Sequence, residues 1–411
     1  MTTLTIFLLV YVAMALGKAP GLRVDRTGAA VVGALAMITF GVLTPEAAWD
    51  SISYSTIGLL FGLMVVSAAF TMSGFYEWTA RRIATLPLSP PALLAVLVTV
   101  SGALSALLTN DVVVVAMTPL LVSITMARGL NPAPFLLGFC FAANSGSAGT
   151  LIGSPQNMII GQELGLSFNG FLRVAAVPAL LSLPVVWGVV ALVYRNRWKL
   201  DPEAAASAPA APEAPARPLD VIELAKAAVV TAAVILAFVF TSWPKDIIAL
   251  TAAGVLLLSR RVSSSDMLGQ VDGDLLLLVM GLFVVNAAFA STGDPQALLE
   301  ALRRAGVDLH DPVTLLLAGG FISNVIGNNP AVMLLSPFMS GGDSMALGAA
   351  LALGTGFFSN FIVFGSLAGI IVVEQSAGRG VTISFSEFMR AGAPASVLCT
   401  LVALVWILLA M

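Results

Sequence analysis

Residues Leu107–Pro119 read LLTNDVVVVAMTP, which sets Thr109, Asn110 and Asp111 in the middle of the apolar run 91–126. At mid-depth in a bilayer a carboxylate costs at least ~2.5 kcal/mol, and an unpaired amide or hydroxyl also costs free energy. Such a cluster persists only where it faces protein, water or an ion. Val325–Pro337, VIGNNPAVMLLSP, repeats the pattern. Aligning Thr118-Pro119 on Ser336-Pro337 places Asn110 on Asn328 and Asp111 on Asn329.

The surroundings of these clusters are those of a membrane protein. The chain is 58% hydrophobic and 10% charged, with mean hydropathy +0.99. A soluble domain usually carries about 25% charged residues. A net charge of −3 says little, because the charges sit in loops, and nothing in it suggests a nucleic-acid partner. Cys140 and Cys399 lie in apolar runs and read as buried small hydrophobes. A single histidine, His310, excludes a histidine-ligated metal centre. Residues 3–17 lack a basic region before the apolar run, and Lys18, Arg23 and Arg26 follow it. That order predicts a retained first span with the N-terminus outside.

Apolar spans fall at 3–17, 28–43, 56–75, 91–126, 133–161, 171–194, 221–241, 246–259, 274–293, 312–339, 345–373 and 388–410. A single crossing takes about 20 residues. The runs 91–126 and 312–339 are too long for one helix and read as hairpins that enter and leave on one side. The runs 133–161 and 345–373 carry Gly, Ser and Asn internally and read as helices broken near mid-membrane. Residues 196–220, rich in Ala and Pro, read as a cytoplasmic linker with too little apolar content to fold.

The linker separates two similar halves, 1–195 and 221–411. Gly62-Leu-Met-Val-Val-Ser-Ala-Ala-Phe70 matches Gly281-Leu-Phe-Val-Val-Asn-Ala-Ala-Phe289, an offset of 219, and Gly74 falls on Gly293. Paired arginines follow in both halves, Arg81-Arg82 and Arg303-Arg304, and Gly153-Ser154 matches Gly365-Ser366. Each half then has three helices, a hairpin, a broken helix and a last helix. Five crossings is an odd number, so the halves are inverted repeats. The fold class expected is an all-α polytopic membrane protein of about ten transmembrane helices, two re-entrant hairpins and two broken helices. Of the 19 basic residues, only Arg173, Lys245, Arg303 and Arg304 fall outside in this arrangement. The positive-inside rule therefore places both termini outside, the first hairpin entering from the cytoplasm and the second from outside.

Four polar stretches sit at membrane depth. The tips hold Thr109, Asn110 and Asp111, and Ser323, Asn324, Asn328 and Asn329. The breaks hold Asn144, Ser147, Thr150, Gly153, Ser154 and Asn157, and Thr355, Ser359, Asn360, Gly365 and Ser366. Gly and Pro at a break free backbone groups, which a bilayer tolerates only where protein buries them or water reaches them. Carbonyl, amide and hydroxyl oxygens suit Na⁺, and helix N-termini suit an anion. Glu163, Glu374 and Arg379 read as solvated loop residues beyond the broken helices. Arg173 and Arg390 read as snorkelling side chains.

The hairpins, broken helices and inverted repeat resemble the ion transporter superfamily. That group contains divalent-anion:sodium symporters, citrate transporters, arsenite efflux permeases and some sodium/proton antiporters. Thr109-Asn110-Asp111 resembles the Ser-Asn-Thr tip of the symporters, with an Asn-Asp pair closer to arsenite permeases. Gly153-Ser154-Pro155-Gln156-Asn157 resembles their Gly-x-Pro-x-Asn break. The resemblance implies a scaffold and a moving transport domain, a homodimer, and substrate between the tips. It implies Na⁺ sites involving Asn110, Asp111, Gly153, Asn328 and Gly365. The function expected is secondary active transport of a small anion such as a di- or tricarboxylate or an oxyanion across the plasma (inner) membrane. Na⁺ or H⁺ would be the coupling ion, with no other cofactor. The alternative is an arsenite-type efflux permease or Na⁺/H⁺ antiporter using Asp111. Asp111 has no partner acid in the apolar spans, so an intramembrane hydrolase is not expected.

Overall fold

The computed structural model describes residues 1–19, 21–200, 217–339 and 342–410. Most of the expected linker, 201–216, lies outside the described residues. Among the described residues the regular structure is helical, with two isolated β-bridges. Among the described residues seven helices are long and apolar enough to cross a membrane: Tyr54–Met72, Pro90–Leu107, Asn110–Ala127, Phe168–Val193, Val221–Phe240, Gly273–Ala290 and Phe385–Ala410. Thr2–Leu16, Arg26–Thr39, Pro312–Ile326, Ser344–Phe358 and Leu367–Ala377 are shorter apolar helices. Leu180, Leu192, Phe240 and Leu408 are exposed, as expected of side chains that meet lipid rather than water.

Local sequence sets the helix ends. Prolines occupy the first turns of Pro90–Leu107, Pro132–Ser147, Pro155–Glu163 and Pro312–Ile326, where a missing N–H costs nothing. Asp25, Ser167, Asp220 and Asp343 accept hydrogen bonds from first-turn amides. In both halves the third helix turns into a short amphipathic one at a left-handed glycine, Gly74 (φ 74°) or Gly293 (φ 77°).

The halves interlock. The third helix of the first half, Tyr54–Met72, crosses the second helix of the other, Lys245–Leu257. A Cβ on Gly62 would lie 2.5 Å from the Ala249 backbone, so this crossing requires glycine. Gly273–Ala290 crosses Arg26–Thr39 in the same way, a Cβ on Gly281 falling 2.8 Å from Ala30. Gly62 and Gly281, and Ala30 and Ala249, share the 219-residue offset. The second body holds both hairpins and both broken helices. Pro90–Leu107 packs on Pro132–Ser147 with Gly146 against the Gly102 backbone, and Pro312–Ile326 packs on Ser344–Phe358 with Gly354 against the Leu316 carbonyl.

Contacts between loops sort them into two faces. On one, the Arg128 guanidinium donates to the Ala84 carbonyl (3.0 Å), Leu130 bridges to Lys199, Asp220 N–H donates to the Ser73 carbonyl (2.9 Å), and Tyr194 Oη donates to Glu387 (2.9 Å). On the other, Asn169 Nδ2 donates to the Val239 carbonyl (2.8 Å) and Trp406 Nε1 to the Val174 carbonyl (2.8 Å). The first face carries most of the basic residues.

Candidate functional site

The first hairpin turns at Leu108-Thr109, between Pro90–Leu107 and Asn110–Ala127. Thr109 donates its N–H and hydroxyl to Ser67 Oγ on the third helix, at 3.1 and 3.0 Å. Asn110 N–H donates to the Gly153 carbonyl at 2.9 Å, which ties the tip to the first break. The break spans 148–154. Asn157 Nδ2 bridges it by donating to the Ser147 and Thr150 carbonyls (3.0 and 2.8 Å), and the Thr150 hydroxyl donates to the Ala106 carbonyl (2.6 Å). A Cβ on Gly153 would meet the carbonyl oxygens of Ser147 and Ser105 at 2.5 and 2.7 Å, so the loop closes against the hairpin only through glycine.

Asn144 is the hub where the two breaks meet. Its Nδ2 donates to Asn360 Oδ1 (3.0 Å) and Ser366 Oγ (3.1 Å), and its Oδ1 accepts from Asn110 Nδ2 (3.4 Å). Asn360 Nδ2 donates back to Ser145 Oγ (3.1 Å) and the Phe141 carbonyl (3.3 Å). Ser366 also caps the Leu367–Ala377 helix by accepting from Gly369 N–H (3.0 Å). These side chains are buried, and each bond satisfies a group that would otherwise be costly.

The second hairpin joins Pro312–Ile326 to Asn328–Leu335, which continues as the 3₁₀ turn Ser336–Met339. Its tip is Gly327 at φ 93°, ψ 160°, a conformation open only to glycine. Asn328 Nδ2 donates to Ser359 Oγ (2.8 Å) in the second break, and Asn324 Nδ2 donates to the Phe358 and Gly320 carbonyls (2.9 and 3.1 Å). Ser147, Ser323 and Thr355 turn their hydroxyls back onto Asn144, Gly320 and Leu351 carbonyls of their own helices, where they serve helix packing.

Several buried oxygens have no donor among the described residues. Around the first tip and break they are Ser105 Oγ, Asn110 Oδ1, Ser154 Oγ and Asn157 Oδ1; around the second, Asn324 Oδ1 and Asn329 Oδ1. Buried acceptors left in this way carry a desolvation cost that a hard cation would relieve. Gly365 packs against Asn324 Oδ1 much as Gly153 packs against Ser105.

A cavity of about 280 Å³ joins the two tips. Asn110 and Asp111 line it from the first, Gly327, Asn328 and Asn329 from the second, and Gln156 and Ser366 from the breaks. Arg26, Thr27, Asp272 and Asp274 line it from the N-termini of the Arg26–Thr39 and Gly273–Ala290 helices, and Leu275, Leu278, Phe364 and Leu367 add apolar wall. The Asp111 side chain forms no ion pair among the described residues, and no neighbouring amide fixes it. Of the residues singled out from the sequence, Asn110, Asp111, Asn328, Asn329 and Ser366 line the cavity. Thr109, Asn144, Ser147, Thr150, Gly153, Ser154, Asn157, Ser323, Asn324, Thr355, Ser359, Asn360 and Gly365 stand behind it. Two loop expectations are corrected: Glu163 ends the Pro155–Glu163 helix and lines a separate cavity of about 160 Å³, and Glu374 lies within Leu367–Ala377.

Ser67 and Asn286 were not anticipated. They are the polar position of the matched stretch 62–70 and 281–289, and each holds its own hairpin. Asn286 Nδ2 donates to the Met333 carbonyl (3.0 Å) and Oδ1 accepts from Tyr11 Oη (2.9 Å). One serine or asparagine between otherwise matching apolar residues was the signal. Gln156 sits inside the quoted break motif at one of its variable places, and Arg26 carried no signal, since only the crossing of the halves brings it to the tips.

A family model described as citrate transporter matches residues 9–356. The chain belongs to the citrate transporter family. It is thus an integral, multi-pass membrane transporter rather than an enzyme, with the inverted-repeat helical architecture described above. A 46 kDa membrane protein of Mycobacterium leprae is 30% identical over 421 residues, covering 96% of this citrate-transporter-family chain and 95% of its own. The silicon efflux transporter LSI3 of rice (Oryza sativa subsp. japonica) is 26% identical over 465 residues, covering 93% and 92%. The crystal structure of the Alcanivorax borkumensis YdaH transporter superposes with a TM-score of 0.58 at 17% identity, over 99% of this chain and 95% of that one, a likeness of fold.

Proposed function

We propose that this member of the citrate transporter family is a secondary active transporter for a small anion, a di- or tricarboxylate or an oxyanion, driven by a Na⁺ or H⁺ gradient. The observation that carries this reading is the cavity between the two tips, lined by Asp111, which forms no ion pair among the described residues, and by its neighbour Asn110, whose Oδ1 has no donor there. The coupling cation is taken at the first tip and break, by Asn110, Asp111, Ser154 and Asn157. The second tip and break, through Asn328, Asn329 and Ser366, hold the substrate. Further Na⁺ contacts at Gly153 and Gly365 are part of the reading.

In this reading the body carrying hairpins and broken helices moves against the interlocked scaffold, exposing the cavity to each side in turn. The halves span 1–195 and 221–411. The basic-rich face is cytoplasmic, so both termini lie outside in the plasma (inner) membrane, and the protein is a homodimer. Uptake of radiolabelled citrate, succinate, sulfate and phosphate into proteoliposomes, under a Na⁺ gradient or a pH gradient alone, tests it. No uptake of any of the four under either gradient would overturn the anion reading.

A second reading is favoured by the cavity's three carboxylates, Asp111, Asp272 and Asp274, against one cation, and by the rice relative named as a silicon efflux transporter. In it the substrate is a weak oxyacid leaving the cell in exchange for protons, with Asp111 as the exchanged site. Proton-gradient-driven uptake of arsenite or silicic acid into inverted vesicles, with no uptake of the four anions into proteoliposomes, would select it.

A further inference from the structure

Each half begins its second helix with a cation. Arg26 is the first residue of Arg26–Thr39 and Lys245 the first of Lys245–Leu257, again 219 apart. That is the unfavourable end, because the first-turn amides and the helix dipole already present positive charge. The cavity's acids follow the opposite rule. Asp272 caps its helix by accepting from Leu275 N–H (2.9 Å), and Asp274 and Asp111 lie in first turns, where negative charge is stabilised.

Among the described residues Arg26 is held by a carbonyl in the last turn of Thr2–Leu16 rather than by an acid. Its Nε donates to the Met14 carbonyl (2.9 Å), which fixes the side chain, yet among the described residues the guanidinium forms no ion pair. Asp25, its neighbour in sequence, caps the helix through Gly28 N–H (2.8 Å). One terminal nitrogen, Nη1, lies 3.6 Å from where a Cβ on Gly327 would sit, so the charge faces the second tip. There the Asn328–Leu335 helix starts, and its first amides point out of the helix without an intrahelical acceptor. Arg26 is the one cation among the residues lining the cavity.

We propose that Arg26, with the first-turn amides of the second tip, is the subsite that holds the anionic group of the substrate, and so selects for charge. This rests on the anion-transport reading above. A planar guanidinium offers a carboxylate or oxyanion two parallel N–H donors, and beside a helix N-terminus such a pair is strong. Scaffold and moving body each contribute to the subsite, so a bound anion bridges the two. The inverted symmetry gives Lys245 the same task toward the first tip when the cavity opens on the other side.

Thermal stabilisation of the purified full chain in detergent by citrate, succinate, sulfate and phosphate tests this, with Na⁺ titrated separately. We expect at least one anion to stabilise the wild type. Arg26→Gln should weaken that anion at least tenfold, Arg26→Lys should restore part of the loss, and the response to Na⁺ should be equal in all three. Equal anion affinity in wild type and Arg26→Gln overturns the subsite and leaves the transport reading to the uptake assay. Stabilisation of the wild type by none of the four anions overturns the subsite as well. If Arg26→Gln does not fold, Arg26→Lys decides: an unchanged ranking and affinity of carboxylates against phosphate overturns the proposal, and a shift of several-fold supports it.

Discussion

Asp111 and Asn329 occupy matching places on the two tips, and only the first can change its charge. Asp111→Asn removes it with little change in shape. We expect coupling to the cation gradient to fall at least tenfold while anion binding persists, read as loss of Na⁺- or pH-driven uptake with retained anion exchange. A second expectation concerns the hub. Asn144→Ala strips partners from Asn110, Asn360 and Ser366 inside the protein and should cost about 1–3 kcal/mol, whereas Ser323→Ala, whose hydroxyl bonds within its own helix, should cost far less. Melting temperatures of the two variants check this. At this scale the sequence marked the polar tips, because polar groups in an apolar run stand out. It did not mark Arg26 or Ser67, whose place at the site shows only once the tips arrive beside them.

The elements are held by close backbone crossings and by caps. Gly62→Leu and Gly281→Leu each push a side chain into the backbone of the crossing helix, and we expect about 1–3 kcal/mol of destabilisation from either, equal within error, since the crossings are repeats of each other. At the start of Val221–Phe240, Arg261 donates to Asp220 (2.9 Å), and Asp220 also accepts from the N–H groups of Glu223 and Ile222. The arginine first, then these amides, hold the Asp220 carboxyl below its usual range. Its contribution is therefore complete above the ordinary carboxylate pKa and lost as pH falls through the depressed one. Melting of wild type between pH 7 and pH 3 should decline more steeply than that of Asp220→Asn, which keeps the cap and loses the titration. Hairpins and breaks were legible from run length and from Gly, Pro and Asn within the runs. The pairing of third and second helices across the halves was not, because apolar faces rich in Ala, Val and Leu carry no partner code.

For the whole molecule, the two halves differ in where each hairpin meets the scaffold. At equivalent scaffold positions, Ser67 meets Thr109 at the tip while Asn286 meets Met333. Met333 aligns with Val115, six residues further along the arm, about 9 Å at 1.5 Å per residue. In the proposed cycle, exchange of the two registers would generate the opposite-facing state. Cysteine pairs in a background lacking Cys140 and Cys399 read this out. Ser67→Cys with Thr109→Cys should crosslink in the present state, and Ser67→Cys with Val115→Cys only in the other. Crosslinking of both pairs at a ratio indifferent to substrate and cation would count against a two-state slide. The inverted repeat itself was legible from the shared order of motifs, but the offset between the hairpins was not, since it is a difference of position between nearly matching sequences. The crossings at Gly62–Ala249 and Gly281–Ala30 also bear on biogenesis. One partner of each crossing is synthesised after the linker, so the first half leaves the ribosome with its third helix lacking its crossing partner. Packing of the two crossings must wait for the second half. Two fragments, 1–195 and 221–411, expressed together should therefore assemble without the linker, and either one alone should be degraded.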